Sequence, residues 1–422
     1  MNDDRIAGNS AAVSNQSGGL AKESRQRFRL AALFHRPHPY FCKFFQRLAA
    51  HPEIDLTVYF YSDLGIRATP DPGYRRSVQW DTDLLAGYRH RFLRNYSPWP
   101  ALHRYTGLFH PALLREVDRR YDAVLVHGWW GLSTSLAMVT ALARRVPILL
   151  HSDKNVIEAG KKWRRRFRNL VLQALFRRVA AFLVIGQRNA AFYRSLGVPE
   201  ERMFLAPLAV DNAFFRAEAQ RLKSERYTLR HQYGIPPEAT VILYVGRLAP
   251  EKGLLDLLAA FAGLSDGSAH LALVGDGPQR AALEDYVRSY HLRCVHFAGF
   301  QNYSQLPSFY ALSDVFVLPS YREPWGAVVN EAMNFALPVV ASQDGGAVAD
   351  LVENGRNGLL FEPGDQGQLA RHLQYLVSHP EVREQMGAES ARRIAVWDFE
   401  RGIEGVLAAL HAVAHCAQRE AG

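Results

Sequence analysis

Cysteine is scarce in this chain of 422 residues. Its three cysteines, Cys42, Cys294 and Cys416, are odd in number, lie far apart and show no paired spacing. A disulfide framework or a structural zinc site needs several cysteines at short, repeated spacings. We therefore expect neither, and we expect a protein of a reducing compartment, the cytoplasm.

Long apolar runs are also missing. The longest apolar zone, 170–186, is interrupted by Arg177 and Arg178, whereas a transmembrane helix needs about 20 predominantly apolar residues. Residues 1–27 are polar and rich in Ser, Asn and Gly, with no apolar centre, so they predict a disordered tail rather than a signal peptide. The sequence thus predicts no membrane span.

The chain does contain a regular alternation of apolar strands and helical segments. Its length and its 48% hydrophobic content are enough for two domains with separate cores. Candidate strands of the first half are 29–34, 56–61, 123–127, 147–151, 181–185 and 203–206. This pattern predicts an α/β fold with parallel sheets.

One segment of the second half, 321–342, carries the clearest functional signal. Pro324 and Gly326 break the incoming loop, and apolar residues at helical spacing follow. Glu331 then lies in the second turn of a helix, while Glu323 stays outside it. The free N–H groups of the first turn form an anion site suited to a diphosphate, and the two carboxylates would face sugar or ribose hydroxyls. An acidic helix start with a solvent-facing glutamate is the alternative for this segment alone.

Two further apolar strands of the same half end in loops typical of ligand sites. The strand from Val241 leads into a loop that carries Arg247 and Lys252, and the strand from His270 ends in a glycine turn at Gly275. Two cations at the end of a parallel strand suit a phosphate, with roughly 1.5–3 kcal/mol for each charge-assisted bond. An ordinary strand-loop-helix joint is the alternative for each, but the three together favour a ligand site at the carboxyl ends of the strands.

The order and spacing of these pieces resemble those of a retaining glycosyltransferase of the GT-B type, family 4. The resemblance covers about 186–399 and rests on VGRLAPEKG, LVGDGP, HFAGFQNYSQLPSFYALSDVFVLPS, the unit from Glu323 to Glu331, and DLVENGRNGLLFEPGD. It implies two Rossmann-like doubly wound domains that face a cleft, an acceptor-binding domain at 28–208 and a nucleotide-sugar-binding domain at 209–396. Residues 397–422 would form a helix that returns to the first domain.

The resemblance also implies roles for the matching residues. Arg247 and Lys252 would contact the diphosphate and stabilise the leaving group. Glu331 would bind the ribose, and Glu323 would hold the donor sugar. The other residues of the implied donor site would cradle the phosphates or lie near the base: Gly246, Gly275, Gly299, Phe300, Trp325, Gly326, Ala327 and Val328. The implied catalytic set is Glu323, His127, Arg247 and Lys252.

The first domain offers fewer matching residues. His127 ends a strand, and the resemblance implies that it contacts the donor sugar or the acceptor; a structural histidine is the alternative. Arg36, His151 and Asp153 are the candidates on the acceptor side. Many family members carry a glycine-rich loop after the first strand, yet no glycine occurs in 31–64 here. The backbone there cannot approach a phosphate as glycine would permit.

We expect no metal and no other cofactor. Asp81 and Asp83 match the D-x-D metal motif of a different glycosyltransferase class, but they lie far in sequence from the implied donor residues. Arg247, Lys252 and the helix terminus would supply the positive charge that a divalent cation brings to such a reaction.

Positive charge is concentrated in the first half of the chain. Residues 1–210 hold 32 Lys plus Arg against 16 Asp plus Glu, and the remainder holds 18 against 25, for a net charge of +9. The densest cluster, from Lys161 to Arg178, indicates a basic amphipathic helix suited to an anionic surface, here the inner face of the cytoplasmic membrane. A solvated helix end is the alternative. Nucleic acid is not expected, because no recognition motif accompanies the charge.

The residues and the resemblance together predict an enzyme that transfers a sugar from a nucleoside diphosphate sugar to a hydroxyl of a glycan or lipid-linked acceptor. The acceptor would attack on the face that the diphosphate leaves, which retains the anomeric configuration, and polysaccharide or glycolipid assembly is the expected role. A nucleotide-sugar epimerase on the same fold and a non-catalytic protein that binds sugar nucleotides are the alternatives.

Overall fold

The computed structural model describes residues 27–71, 76–154, 162–264 and 267–421. The tail expected to be disordered, 1–27, lies outside these ranges except for its last residue. Two parallel sheets with flanking helices form the frame of the molecule. The predicted fold class, α/β with two Rossmann-like sheets, is therefore confirmed.

The first sheet is built from the first half of the chain. The strands of this half are β1 Phe28–Phe34, β2 Ile54–Phe60, β3 Thr69–Asp71, β4 Arg76–Val78, β5 Arg89–Phe92, β6 Ala123–His127, β7 Ile148–His151, β8 Ala181–Val184 and β9 Met203–Leu205. Seven of them form a sheet in the order β5-β2-β1-β6-β7-β8-β9, and every neighbouring pair in it is parallel. The strands β3 and β4 pair antiparallel outside it.

The second sheet is built from the second half. Its strands are β10 Thr240–Val245, β11 Ala269–Val274, β12 Val295–Gly299, β13 Val315–Leu318, β14 Val339–Ser342 and β15 Gly358–Phe361. Their order is β12-β11-β10-β13-β14-β15, and all neighbouring pairs are parallel. Every residue of β10 and β11 is buried, as expected for central strands covered by helices on both faces.

Helices connect the strands in both domains. The α-helices are α1 Pro39–Ala50, α2 Leu113–Glu116, α3 Leu132–Ala143, α4 Lys162–Phe176, α5 Gln187–Ser195, α6 Asn212–Leu222, α7 Arg226–Gln232, α8 Leu254–Ala262, α9 Arg280–Ser289, α10 Leu306–Leu312, α11 Ala327–Asn334, α12 Val348–Leu351, α13 Gln366–Ser378, α14 Pro380–Ile394 and α15 Phe399–Ala421. Three short 3₁₀ turns are Glu200–Arg202, Lys223–Glu225 and Pro250–Lys252.

Each sheet has a point where the strand order reverses. In the first sheet this point lies between β1 and β6, and in the second between β10 and β13. The loops that follow these strands diverge there and leave a crevice at the carboxyl ends, where α/β sheets bind ligands. The loops after β10 and β13 hold the cations and the first glutamate that the sequence singles out.

The last helix crosses back to the first domain. The helix α15 packs against β8, β9 and α1. Its buried residues Ile403, Val406, Ala409 and Leu410 belong to the same hydrophobic cluster as the side chains of β1 and β2. The polypeptide therefore passes between the domains twice, once after β9 and once before α15.

The structure has strands at all six positions predicted for the first half, within two residues at each end. The edge strand β5 was not predicted, because its sequence, RHRF, is charged and mostly exposed. The helix predicted after Gly326 is α11, which ends at Asn334, and Ala336 adopts a left-handed backbone with φ 53°.

Candidate active site

A cleft of about 380 Å³ lies between the two domains. Its walls come from the loops after β1, β4, β10, β11, β12 and β13 and from the starts of α1, α10 and α11. The lining residues are Arg36, His38, Pro39, Tyr40, Trp80, Tyr244, Val245, Gly246, Arg247, Lys252, Val274, Gly275, Phe300, Gln301, Tyr303, Leu306, Leu318, Glu323, Gly326, Ala327 and Val328. The structure therefore brings most of the predicted donor residues to one cleft; Gly299, Trp325 and Glu331 lie beside it.

A close ion pair joins two of the predicted residues. Lys252 Nζ lies 2.6 Å from Glu323 Oε2, and the two side chains are only 15% and 11% exposed. Ser320 Oγ donates to the same carboxylate oxygen at 3.3 Å. Gly253 follows Lys252 with φ 65°, and a Cβ there would lie 2.2 Å from Pro319 O. Glycine thus allows the loop after β10 to lie against the loop after β13 and to bring the two charges together.

Arg247 sits on the same loop but is less constrained. Its guanidinium pairs with Glu251, and its side chain is 41% exposed. Tyr244 Oη donates to Arg247 O at 2.9 Å, which fixes the backbone rather than the guanidinium. The arginine can therefore exchange its carboxylate partner for a bound anion at little cost, since exposed pairs of this kind contribute about 0–1 kcal/mol.

The helix α11 points its amino terminus at the cleft. Gly326 precedes the helix with φ 88°, and Ala327 and Val328 line the cleft. The side chain of Trp325 turns elsewhere: its Nε1 donates to Asn330 Oδ1 at 3.1 Å, and its ring stacks on Trp397 at 5.7 Å. The first-turn N–H groups and the helix dipole leave this end of the cleft electropositive.

Glu331 occupies a buried position between the domains. It is fully buried, and both of its oxygens accept hydrogen bonds, one from Tyr40 Oη at 2.7 Å and one from Tyr310 Oη at 2.6 Å. Burial raises the pKa of the carboxyl group to about 7, and the two hydrogen bonds offset part of that rise. Because Tyr40 belongs to α1, this is a contact between the two domains. Tyr40 also lines the cleft, whereas Glu331 does not.

The predicted residues of the first domain cluster at the ends of β1, β6 and β7. His127 Nδ1 lies 2.9 Å from His151 Nδ1, and the ring of His127 stacks on Phe34 at 4.8 Å. Burial lowers the pKa of both histidines, while Asp153 opposes the shift at His127. Two neutral imidazoles form such a bond only if one Nδ1 carries the proton and the other accepts it. Arg36 lies in the wall of the cleft, whereas His127, His151 and Asp153 are not among the lining residues.

The two aspartates of the D-x-D match are engaged in protein contacts. The Asp81 carboxylate accepts from Ser304 N at 3.3 Å, and Asp83 Oδ1 accepts from the backbone N–H groups of Leu85 and Ala86. In the described part of the chain, no group of three or more His, Cys, Asp or Glu side chains could hold a metal ion. The absence of a metal from the reaction stays a prediction.

The basic segment is described only in part, because Lys161 and the residues just before it lie outside the described ranges. The helix α4 exposes three apolar side chains at positions i, i+3 and i+4, namely Phe167 at 66%, Leu170 at 64% and Val171 at 51%. Arg177 and Arg178 are exposed beyond its end. Within the ranges that the structure describes, no helix combines the length and the apolar content needed to cross a bilayer.

Sequence reasoning named Phe300 but missed four other aromatic side chains at the cleft. Trp80 and Tyr303 line the cleft. Tyr310 donates a hydrogen bond to Glu331, and Tyr40 donates to the same carboxylate from 291 residues away in sequence. The aromatic stretch from His38 to Phe45, which forms the start of α1, was an available signal for Tyr40 alone.

Two doubly wound domains that face one cleft define the GT-B class of fold, and comparison with known proteins gives the family. A family model described as glycosyl transferases group 1 matches residues 225–393, and one described as glycosyl transferase 4-like domain matches residues 37–209. The chain belongs to the group 1, family 4 glycosyltransferases with the GT-B fold, which confirms the family predicted from the sequence.

Relatives with curated names support this membership over part of the chain. Alpha-D-kanosaminyltransferase of Streptomyces kanamyceticus is 32% identical over 51% of this chain and 55% of its own length. The 2-deoxystreptamine glucosyltransferase of the same organism is 34% identical over 53% of this chain and 61% of its own length. The chain thus matches little more than half the length of these two relatives.

Solved structures match over a larger share of the chain. A crystal structure of HepE from Anabaena in complex with UDP has a TM-score of 0.70 at 19% identity and covers 91% of this chain and 100% of that one. The structure of WaaG, a glycosyltransferase involved in lipopolysaccharide biosynthesis, has a TM-score of 0.62 at 18% identity and covers 89% of this chain and 97% of its own. At these identities the likeness concerns the fold.

Proposed function

We propose that the protein is a retaining glycosyltransferase that moves a sugar from a nucleoside diphosphate sugar to an acceptor hydroxyl. The observation that carries this proposal is the buried pair of Lys252 and Glu323 in the interdomain cleft. It places a cation suited to phosphate beside a carboxylate suited to sugar hydroxyls. The relatives named as sugar transferases, and the HepE structures with UDP and UDP-glucose, support a nucleotide-sugar donor.

The diphosphate would bind at the electropositive end of the cleft. Arg247, Lys252 and the free N–H groups at the start of α11 surround this end, and Gly275 keeps the neighbouring turn close to it: a Cβ there would lie 1.8 Å from Gly246 O. As the bond to the sugar breaks, negative charge grows on the leaving phosphate oxygen. Lys252 and the N–H groups of α11 are already fixed at this end and would stabilise the transition state without reorganising, and Arg247 would join them by exchanging Glu251 for the phosphate. This fixed charge is the reason to propose that catalysis needs no metal.

The sugar and the ribose would contact the two glutamates. Glu323 is held by Lys252 and Ser320, and this fixed carboxylate would accept hydrogen bonds from sugar hydroxyls. Glu331 would accept from the ribose after Tyr40 withdraws. The His127 ring is half-buried, and desolvation lowers its pKa. It would hydrogen-bond a hydroxyl of the donor sugar or the acceptor, with His151 setting which of its nitrogens carries the proton.

The chemical step exchanges one bond at the anomeric carbon for another. The acceptor oxygen forms its bond on the face from which the diphosphate leaves, the bond to the phosphate oxygen breaks, and that oxygen takes the acceptor proton. Configuration is retained because both events occur on one face. Arg36, His151 and Asp153 are the proposed acceptor-side residues.

The acceptor is proposed to be a glycan or a lipid-linked hydroxyl in polysaccharide or glycolipid assembly. The side chains of Phe167, Leu170 and Val171 are exposed on α4, within the basic segment of the sequence, which suits shallow insertion at the inner face of the cytoplasmic membrane. Flotation with anionic and neutral liposomes tests this association. We expect binding to anionic liposomes that weakens in Leu170→Ser; equal flotation of both proteins, or none, would argue against it.

The first experiment is a thermal-shift screen with UDP, GDP, ADP and CDP, with Arg247→Ala as the control. A nucleotide that binds the folded state raises the melting temperature by mass action. We expect one nucleotide to stabilise the wild type and to lose this effect in the variant. The corresponding sugar nucleotide is then incubated with and without acceptor. Conversion of the sugar without acceptor would indicate an epimerase, and binding without any turnover would indicate a non-catalytic protein.

A further inference from the structure

The segment that carries the D-x-D match reaches across the cleft to the second domain. We propose that this segment, residues 79–81, is a clasp that holds Trp80 as the wall of a nucleobase site, so that the first domain helps to bind the base of the donor. The inference rests on the proposed function and deepens it. It assigns a role to a segment that sequence reasoning set aside.

The clasp consists of reciprocal hydrogen bonds between two loops. Asn302 Nδ2 donates to Gln79 O at 2.7 Å, and Asn302 Oδ1 accepts from Asp81 N at 3.3 Å. Ser304 donates to the Asp81 carboxylate through its backbone N–H at 3.3 Å and also through its hydroxyl. The backbone on both sides of Trp80 is therefore fixed to the loop after β12, more than 200 residues away in sequence.

The clasp leaves Trp80 in the wall of the cleft. Its backbone N–H donates to Gly65 O at 2.9 Å, and its indole ring lies 6.4 Å from the ring of Phe300 and 5.1 Å from the ring of His38. A Cβ on Gly65 would lie 2.8 Å from the indole, so glycine at that position lets the ring pack against the backbone. The ring is thus held from behind, and it faces the cleft from the first domain.

The cleft has two chemically different ends. Arg247, Lys252 and the start of α11 make one end cationic, whereas Trp80 and Phe300 make another part aromatic. A nucleoside diphosphate has the same division, with a charged diphosphate and a flat aromatic base. Its phosphates fit the cations, and its base then packs on the aromatic side chains. Base–aromatic stacking contributes about 1–3 kcal/mol per base and tolerates different bases.

A buried hydroxyl beside the aromatic part of the cleft also points to a ligand. Tyr303 lines the cleft and is 3% exposed, and its Oη has no hydrogen-bond partner among the residues that the structure describes. Buried polar atoms are nearly always paired, with protein, water or a ligand. A polar atom of the nucleoside would supply this partner.

The test measures nucleotide affinity in matched variants by isothermal titration with UDP, GDP and ADP. Trp80→Ala should weaken binding of the preferred nucleotide roughly tenfold, the scale of a lost stacking contact, and Trp80→Phe should remain within about threefold of the wild type. Asp81→Ala should weaken binding because it opens the clasp. Asp83→Ala is the control, since Asp83 caps its own turn and makes no hydrogen bond to the second domain within the described ranges.

Inorganic pyrophosphate tests the phosphate contacts alone, because it has the two phosphates of the nucleotide and lacks the base. Its affinity, measured by displacement of UDP, should be the same in the wild type and in Trp80→Ala, whereas Arg247→Ala should weaken both ligands. Wild-type nucleotide affinity in Trp80→Ala, or equal losses in the Asp81 and Asp83 variants, would overturn the clasp and leave the proposed function standing. A wild-type protein that binds none of the nucleotides would overturn the proposed function itself.

Discussion

Glu331 should make the stability of the protein depend on pH in a way that one substitution removes. Its carboxyl group is fully buried between Tyr40 and Tyr310, and burial raises its pKa from 4.5 to about 7. Glu331→Gln replaces it with a neutral side chain of the same shape. The variant keeps a polar group in contact with both tyrosines but has no proton to lose.

The sign and size of the effect follow from the two pKa values. Between pH 4.5 and about 7 the folded protein holds a proton on Glu331 that the unfolded chain has released. The free energy of unfolding therefore falls by about 1.4 kcal/mol per pH unit as the pH rises through this window. The free energy of unfolding thus falls by about 3 kcal/mol in total between pH 4.5 and about pH 7. It does not change further above pH 7 on account of Glu331, and below pH 4.5 none of this decrease has occurred.

Melting temperatures of the two proteins from pH 5 to pH 8 measure this loss. For a domain of 150–250 residues, 1 kcal/mol shifts the melting temperature by about 2–4 °C, so the difference between wild type and variant should change by roughly 6–12 °C in favour of Glu331→Gln. Asp350→Asn is the matched control. Burial raises the pKa of Asp350 only to about 6. The difference in melting temperature between the wild type and Asp350→Asn should therefore stay constant above about pH 6.5. Parallel curves for wild type and Glu331→Gln would refute the assignment of a protonated buried carboxyl group.

Three further predictions concern turnover and stability. Lys252→Ala should lower turnover on the order of 10²-fold, the scale of one lost preorganised donor to a developing oxyanion. The release of free nucleotide measures turnover. A rate of release near that of the wild type would contradict the role proposed for Lys252. His151→Leu should lower turnover about fivefold, because it removes one buried hydrogen bond to His127, worth about 1 kcal/mol. His151→Gln should restore part of the lost turnover. Equal rates for His151→Leu and the wild type would show that His151 does not position the His127 ring. Arg230→Ala should cost about 3–5 kcal/mol of stability, because that buried guanidinium is hydrogen-bonded to a carboxylate and to three carbonyl groups. Thermal unfolding measures this cost. The melting temperature should fall far more than in the control Arg221→Ala, whose exposed ion pairs contribute little.

The elements that the sequence predicted well are those with a strong local signal. The strand β10 is a run of apolar residues followed by a glycine loop, and its burial in the sheet follows from that composition alone. Lys252 and Glu323 lie 71 residues apart, yet both directly follow parallel strands. Strand ends of one sheet meet at one edge, so their proximity was predictable from the order of the elements.

The parts that were missed depend on contacts between distant segments. Nothing near Tyr40 in the sequence indicates that its hydroxyl reaches Glu331, because that contact exists only when the two domains are in place. The contacts of Asp81 were also missed, because its partners lie on the loop after β12, in the second domain. The strand β5 was missed because an edge strand needs only one buried face, and its charged sequence hides the pattern.

The return of α15 to the first domain has a consequence for synthesis of the chain. Ile403, Val406 and Leu410 complete the hydrophobic cluster that includes the buried residues of β1. These three residues leave the ribosome after the whole second domain has been made. The first domain must therefore wait, with part of its apolar surface exposed to water, while roughly 190 further residues are translated, which takes about 10–40 s at 5–20 residues per second. Chaperone binding to the nascent chain in this interval is the expected protection.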